Sequence, residues 1–157
     1  MQLKTGITEA LSDKISIVLC GLLADEFVLC TKTKNALWNV EGIDFYAKHT
    51  FFESQYRQLD DVIDNIAEHI RTISHYAPAT LNEYLSLTHL SEKSREKNDS
   101  CGFIKLLLDD HLSIILHLRE NIIHFAKDYK DEGTSDFITG IMKTHQKMAW
   151  MLRAHLK

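Results

Sequence analysis

A chain of 157 residues with a formal net charge of −4 and 45% hydrophobic residues has the size of one domain, and we expect a single domain over residues 1–157. The absence of lysine- and arginine-rich runs at its ends argues against nucleic-acid binding, because neutralising phosphates requires clustered basic residues. No apolar run approaches the roughly 18 residues of a membrane-spanning helix, and the first ten residues lack a signal-peptide pattern. Three cysteines without metal-ligand spacing read as free thiols. We therefore expect a cytoplasmic protein.

Helical periodicity dominates the chain, which has one proline and six glycines. It predicts long helices at about 7–35, 45–74 and 101–129, and a last helix that ends near residue 155. Thr134, Ser135 or Asp136 would cap that last helix. Thr80 and Glu83 form a capping-box pattern, which predicts a short helix through about residue 87. The charged segment 91–100 is predicted to be a solvated loop. The long connection between the second and third long helices permits these two to run parallel in a four-helix bundle with a short extra helix.

The second predicted helix carries a series of potential metal ligands: His49, Glu53, Asp64 and Glu68. Each neighbouring pair is four residues apart and therefore lies on one helical face, one turn apart. If these side chains face an apolar bundle, their burial is costly unless a cation compensates the charge. Oxygen and nitrogen donors together suit iron, zinc or manganese. The alternative is an ordinary solvated face with a surface histidine.

Helix geometry limits how these residues could share a metal. Asp64 is fifteen residues beyond His49, which is about 22 Å along a helix axis, so the two pairs cannot meet within one chain. An antiparallel copy of the same helix, related by a twofold axis near Gln58, would bring the first pair of one subunit to the second pair of the other. Such an interface generates two equivalent sites per dimer.

Other candidate ligands are weaker. His111, His117 and His124 on the third long helix are six and seven residues apart and do not form a tight set. Four further histidines have polar neighbours and are expected to face solvent: His69, His75, His89 and His155. Cys20 and Cys101 are expected to be small apolar residues in or near the core.

Two distant segments resemble the Dps family of miniferritins, which store iron and protect against peroxide. The first is TKTKNALWNVEGIDFYAKHTFFESQYRQLDDVIDNIAEHIR, and the second is the closing stretch GTSDFITGIMKTHQKMAWMLRAHLK. The positions in the first segment that match the family pattern are Lys32, Thr33, Trp38, Asn39, Val40, Gly42, Phe45, His49, Glu53, Asp64 and Glu68. In the second segment Trp150 matches. The resemblance covers nearly the whole chain.

The resemblance implies an all-α, ferritin-like four-helix bundle that assembles into a hollow dodecamer. It implies a ferroxidase centre at a twofold interface, where Fe²⁺ is bound and oxidised, preferably by hydrogen peroxide, before ferric iron is stored in the shell. The metal ligands carried over are His49, Glu53, Asp64 and Glu68; of these, His49, Asp64 and Glu68 are the catalytic candidates. Zinc or manganese could occupy the same site.

The resemblance also assigns residues around the centre. Trp38 and Trp150 match family tryptophans near the site, where they quench stray oxidising equivalents or simply pack. Asp136, and less directly Asp128 and Asp131, correspond to the lining of negatively charged pores at the threefold axes; all three are alternatively helix-end and loop charges.

One position departs from the family pattern: Leu37 stands where a ligating histidine is usual, and leucine offers no donor. We expect weakened iron binding and ferroxidase activity. The alternatives are a substituting histidine nearby, or a non-catalytic shell or interaction protein that kept the fold. DNA binding is not expected. Family members that coat DNA do so with lysine- or arginine-rich terminal tails, and the ends of this sequence carry no such run.

Overall fold

The computed structural model of the protein describes residues 6–93 and 97–157. Five α-helices lie within these residues: α1 (Glu9–Asn39), α2 (Phe45–Thr72), α3 (Leu81–Leu87), α4 (Ser100–Ile123) and α5 (Glu132–Ala154). A π-helical turn, His124–Asp128, extends α4. Part of the predicted solvated loop, residues 94–96, lies outside the described residues. The expected all-α bundle of four long helices with a short one between the second and third is confirmed.

The bundle consists of two helical hairpins. Helix α1 packs mainly against α2, and α4 packs mainly against α5, while α3 lies against α1. Their apolar stripes meet in one core, in which the largest fully buried side chains are phenylalanines, leucines and isoleucines. The long connection after α2 therefore carries the chain from one hairpin to the other.

The turn after α1 is fixed by its backbone. Gly42 has a φ of +130°, which side-chain-bearing residues rarely adopt. The neighbouring Glu41 donates its backbone N–H to the carbonyl of Asn98 at 2.9 Å, just before α4 begins. This contact ties the α1–α2 turn to the start of α4.

The helix ends show which capping predictions are correct. The capping box is present: Glu83 N–H donates to Thr80 Oγ1 at 3.2 Å, and Thr80 N–H donates to Glu83 Oε2 at 3.1 Å. The cap predicted for the last helix is wrong. Asp131 caps α5, because its Oδ1 accepts the backbone N–H of Thr134 at 2.9 Å, and the helix therefore begins earlier.

The cysteines and the helix lengths add two facts. All three cysteines are free thiols; Cys30 is buried and Cys20 partly buried, but the prediction of a core position for Cys101 is wrong. Cys101 is exposed because it lies in the first turn of α4, outside the buried stripe. Among the described helices, none is long and apolar enough to cross a membrane.

Candidate metal centre

The four predicted ligands lie on the outward side of α2. The stripe of α2 that faces the core contains Phe52, Gln55, Leu59, Val62, Ile66 and Ile70. Asp64 and Glu68 are exposed, and His49 and Glu53 are half-buried. Of the two orientations left open, the structure shows the solvent-facing one, because these residues fall between the apolar positions of the helix.

The backbone of Leu37 holds the ring of His49. The carbonyl oxygen of Leu37 lies 2.9 Å from His49 Nδ1. A carbonyl can only accept, so Nδ1 carries the proton and Nε2 of the neutral ring keeps its lone pair. Orientation of a ligating histidine through its second nitrogen is typical of metal sites. The leucine side chain offers no ligand, but its main chain fixes the tautomer that a ligand needs.

The carboxylates differ in how they are engaged. Arg57 Nη2 donates to Glu53 Oε1 at 2.6 Å, an exposed pair within one turn of α2. Among the described residues, neither Asp64 nor Glu68 has a hydrogen-bond or ion-pair partner. Two unengaged carboxylates on one helical turn can accept a cation without first breaking another contact.

The two halves of the series do not meet in one subunit. In the described part of the chain, no group of three or more histidine, cysteine, aspartate and glutamate side chains is arranged to hold a metal ion. This agrees with the separation of about 22 Å that helix geometry gives for His49 and Asp64. One subunit alone therefore does not present a complete ligand set at this place.

Large apolar side chains are exposed in the chain segments that lead into the His49 end of α2. Trp38 is 70% exposed, Tyr46 80% and Ile43 fully exposed, and all three lie in the end of α1, the turn after it or the first turn of α2. Trp150 on α5 is 58% exposed. Neither tryptophan packs in the core of its own chain. Exposed aromatic residues of this size are characteristic of surfaces that a protein partner covers.

The acidic pore candidates occupy three different environments. Asp136 is exposed on α5. Asp128 is exposed and lies 2.6 Å from His124 Nδ1 on the π-helical turn. Asp131 is buried and caps the N-terminus of α5, and its carboxylate also accepts a hydrogen bond from the hydroxyl of Thr134. Because both oxygens of the Asp131 carboxylate are hydrogen-bonded at the start of α5, Asp136 and Asp128 remain as the solvent-facing pore candidates.

A polar cluster in the core was missed by the sequence analysis. Glu26, His111 and His145 are fully buried and come from α1, α4 and α5. His145 Nε2 lies 2.7 Å from Glu26 Oε1, and its Nδ1 lies 2.9 Å from His111 Nδ1. Because His145 uses both nitrogens, the three form a chain rather than converge on one point. Glu26 inside the apolar run LLADEFVLC was the available signal.

Several histidines are less exposed than expected. His69 and His75 are half-buried: His69 Nε2 lies 2.9 Å from Thr134 Oγ1, and His75 Nε2 lies 2.9 Å from Ser12 Oγ. Their expected solvent position is wrong because each contacts a second helix. His155 is exposed, as expected. His89 is exposed but engaged, since its Nδ1 lies 2.6 Å from Asp25.

Comparisons with known proteins define the class. Residues 19–157 match the family model of the ferritin-like domain. The crystal structure of the DPS protein of Vibrio cholerae O1, described as a member of a broad superfamily of ferritin-like diiron-carboxylate proteins, superposes with a TM-score of 0.92 at 29% identity, covering 99% of this chain and 97% of that one. The Dps structure of Thermosynechococcus elongatus gives a TM-score of 0.88 at 25% identity, with 94% and 93% covered.

Relatives in sequence indicate which family of ferritin-like proteins this chain belongs to. DNA protection during starvation protein 2 of Bacillus anthracis is 35% identical over 88% of this chain and 94% of its own length. An uncharacterized low temperature-induced protein of Nostoc is 33% identical over 99% of this chain and 87% of its own. Among ferritin-like proteins, this chain therefore belongs to the Dps family.

Proposed function

We propose that the protein is a miniferritin whose ferroxidase centre forms between two subunits. His49 and Glu53 of one subunit and Asp64 and Glu68 of the other bind Fe²⁺ as the substrate. Two Fe²⁺ ions donate one electron each to hydrogen peroxide, which takes up two protons and leaves as two water molecules. Ferric iron is then stored in a homo-oligomeric shell, a dodecamer as in the family pattern, and the cell is protected from peroxide.

The observation that carries the proposal is the hydrogen bond between the Leu37 carbonyl and His49. It keeps Nε2 of His49 available as a donor although position 37 supplies no imidazole. The unengaged carboxylates of Asp64 and Glu68 complete an oxygen-rich set that suits a divalent ion. Zinc or manganese would fit the same donors, so the assignment of iron rests on membership of the Dps family together with these ligands.

The residues of the chain have separate tasks in this proposal. Asp64 and Glu68 supply the negative charge that offsets the cation, and Glu68 bridges two ions. Glu53 must exchange its contact with Arg57 for the metal, which costs little because an exposed ion pair is weak in water. Trp38 and Trp150 cover the site from solvent at the interface.

The test is anaerobic addition of Fe²⁺ to the purified protein, followed by hydrogen peroxide, with ferric absorbance recorded. We expect rapid oxidation of Fe²⁺ by the native protein. In Leu37→His, the affinity for Fe²⁺ or the oxidation rate should rise about 10–100-fold, because gaining or losing one ligand usually changes these quantities by that factor. Glu68→Gln, nearly isosteric, should abolish rapid oxidation. Native protein that oxidises iron no faster than buffer would contradict the proposal.

The second candidate function is a non-catalytic shell or interaction protein, and Leu37 is the observation that favours it. Under that alternative Leu37→His would gain an oxidation rate that the native protein lacks, and Glu68→Gln would change nothing in the native background. The same experiment therefore separates the two.

DNA binding is not part of the proposal, although relatives are named for DNA protection. The chain carries a net charge of −4, so the assembled protein would repel phosphate. Retention of duplex DNA in a gel-shift at moderate salt would contradict this.

A further inference from the structure

A second potential ligand pair lies away from α2, where the connection after α3 crosses α4. Its centre is Asp25 on α1, which is 1% exposed. Asp25 Oδ1 accepts the Thr88 hydroxyl at 2.7 Å and the backbone N–H of His89 at 2.9 Å. Asp25 Oδ2 lies 2.6 Å from His89 Nδ1. A buried carboxylate thus fixes the orientation of a histidine that is itself partly exposed.

This arrangement determines the tautomer of His89. A carboxylate accepts from the ring, so Nδ1 carries the proton, and in the neutral ring Nε2 keeps its lone pair. That nitrogen lies 3.1 Å from the hydroxyl of Ser113, a contact that a metal ion would replace. A carboxylate–histidine pair of this kind is what orients a ligating imidazole in metal sites.

A second imidazole lies beside the first. The rings of His89 and His117 have centroids 5.2 Å apart and are tilted by 40°. Two imidazoles on one tetrahedral zinc ion, with bonds of about 2.1 Å, would have centroids about 5 Å apart. Burial lowers the pKa of His117, which favours its neutral, metal-binding form. No described residue hydrogen-bonds to the ring nitrogens of His117.

We propose that His89 and His117 form a binding site for a borderline divalent transition ion of the zinc class, with Asp25 as the residue that positions His89. The two imidazoles are the protein ligands of this site, and water fills the remaining positions. Imidazole donors favour zinc, copper and nickel over magnesium or calcium. Binding joins the 88–90 connection to α4. The site is independent of the proposed function.

The test uses zinc and the full protein in a His49→Ala/Glu68→Gln background, which removes ligands of the α2 centre. Equilibrium dialysis with Zn²⁺ should give one equivalent per chain in this background and lose it when His117→Asn is added. His155→Asn, an exposed histidine on the C-terminal side, is the matched control and should retain it. Binding that survives His117→Asn, or no binding in the background protein, overturns the proposal.

A second measurement covers the case in which His117→Asn does not fold. Anomalous diffraction from zinc-soaked crystals of the unmodified protein should show a peak between His89 Nε2 and the His117 ring. Peaks confined to other positions would overturn the proposal. Asp25→Asn should weaken zinc binding 10–100-fold without changing its stoichiometry, as expected for a residue that orients a ligand.

Discussion

Single buried charges in this protein are matched by a partner on another helix. Lys32 on α1 and Asp110 on α4 are each less than a tenth exposed, and Lys32 Nζ lies 2.5 Å from Asp110 Oδ2. Lys32 also donates to the carbonyl of Ser91 at 2.9 Å. Burial raises the pKa of Asp110, and the lysine opposes that effect. The pair links one hairpin of the bundle to the other.

Removing one member of this pair should be far more damaging than removing both. Lys32→Met leaves a buried carboxylate unpaired and is expected to lower the free energy of unfolding by about 3–5 kcal/mol. Lys32→Met with Asp110→Leu should recover most of that loss, because two apolar side chains then fill the space. Urea unfolding of the three proteins measures this. Equal destabilisation in the single and double variants would refute the inter-helix pairing.

His111 should make the protein acid-sensitive. Burial, and secondly the charge of His145, hold the pKa of His111 well below its usual value of 6.5. The folded ring stays neutral where the unfolded chain takes up a proton, so the free energy of unfolding falls below pH 6.5 by up to about 1.4 kcal/mol per pH unit. His111→Asn should reduce this slope between pH 6.5 and 5.5, and His155→Asn should not. Unfolding titrations at several pH values measure it, and an unchanged slope in His111→Asn would rule out the effect.

At the scale of elements, two aspartates near the start of α5 have different roles: Asp131 caps the helix, and Asp136 faces solvent. Asp131→Ala removes the cap and a contact to Thr134, and is expected to lower the free energy of unfolding by about 1–2 kcal/mol. Asp136→Ala, exposed on the same helix, should cost less than about 0.5 kcal/mol. If Asp136 lines a pore, its variant should instead slow iron uptake. The reverse pattern of stability would show that the capping assignment is incorrect.

The helices themselves were largely predictable, because apolar periodicity and the Thr80–Glu83 box are local signals. The face of α2 was harder to assign. His49, Glu53, Asp64 and Glu68 have helical spacing whether they face the core or solvent, and only the position of the apolar stripe decides. The core cluster was not predictable from spacing, because Glu26, His111 and His145 lie on three helices and meet only after folding. Likewise, a backbone contact such as that of Leu37 with His49 leaves no trace in residue identity.

At the scale of the whole molecule, one chain presents half of each proposed centre and an exposed aromatic surface beside it. Exposed Trp38, Ile43 and Tyr46 lie in the chain segments that lead into the His49 end of α2, while the Asp64 end carries unengaged carboxylates. A twofold axis near Gln58, as proposed above, would bring the two ends together and would also cover the exposed aromatic residues. The centre and the dimer would therefore form together, so iron oxidation should require an assembled protein.

Subunit complementation tests the intersubunit centre most directly. His49→Ala and Glu68→Gln proteins, each inactive alone, are unfolded, mixed in equal amounts and reassembled, and their rate of peroxide-dependent Fe²⁺ oxidation is measured. A mixed dimer has one centre without damage and one with both, so random mixing should restore about a quarter of the native number of centres. Native protein and each variant reassembled alone are the controls. If the mixture remains as inactive as its components while the native control is active, the intersubunit centre built from these two pairs is excluded.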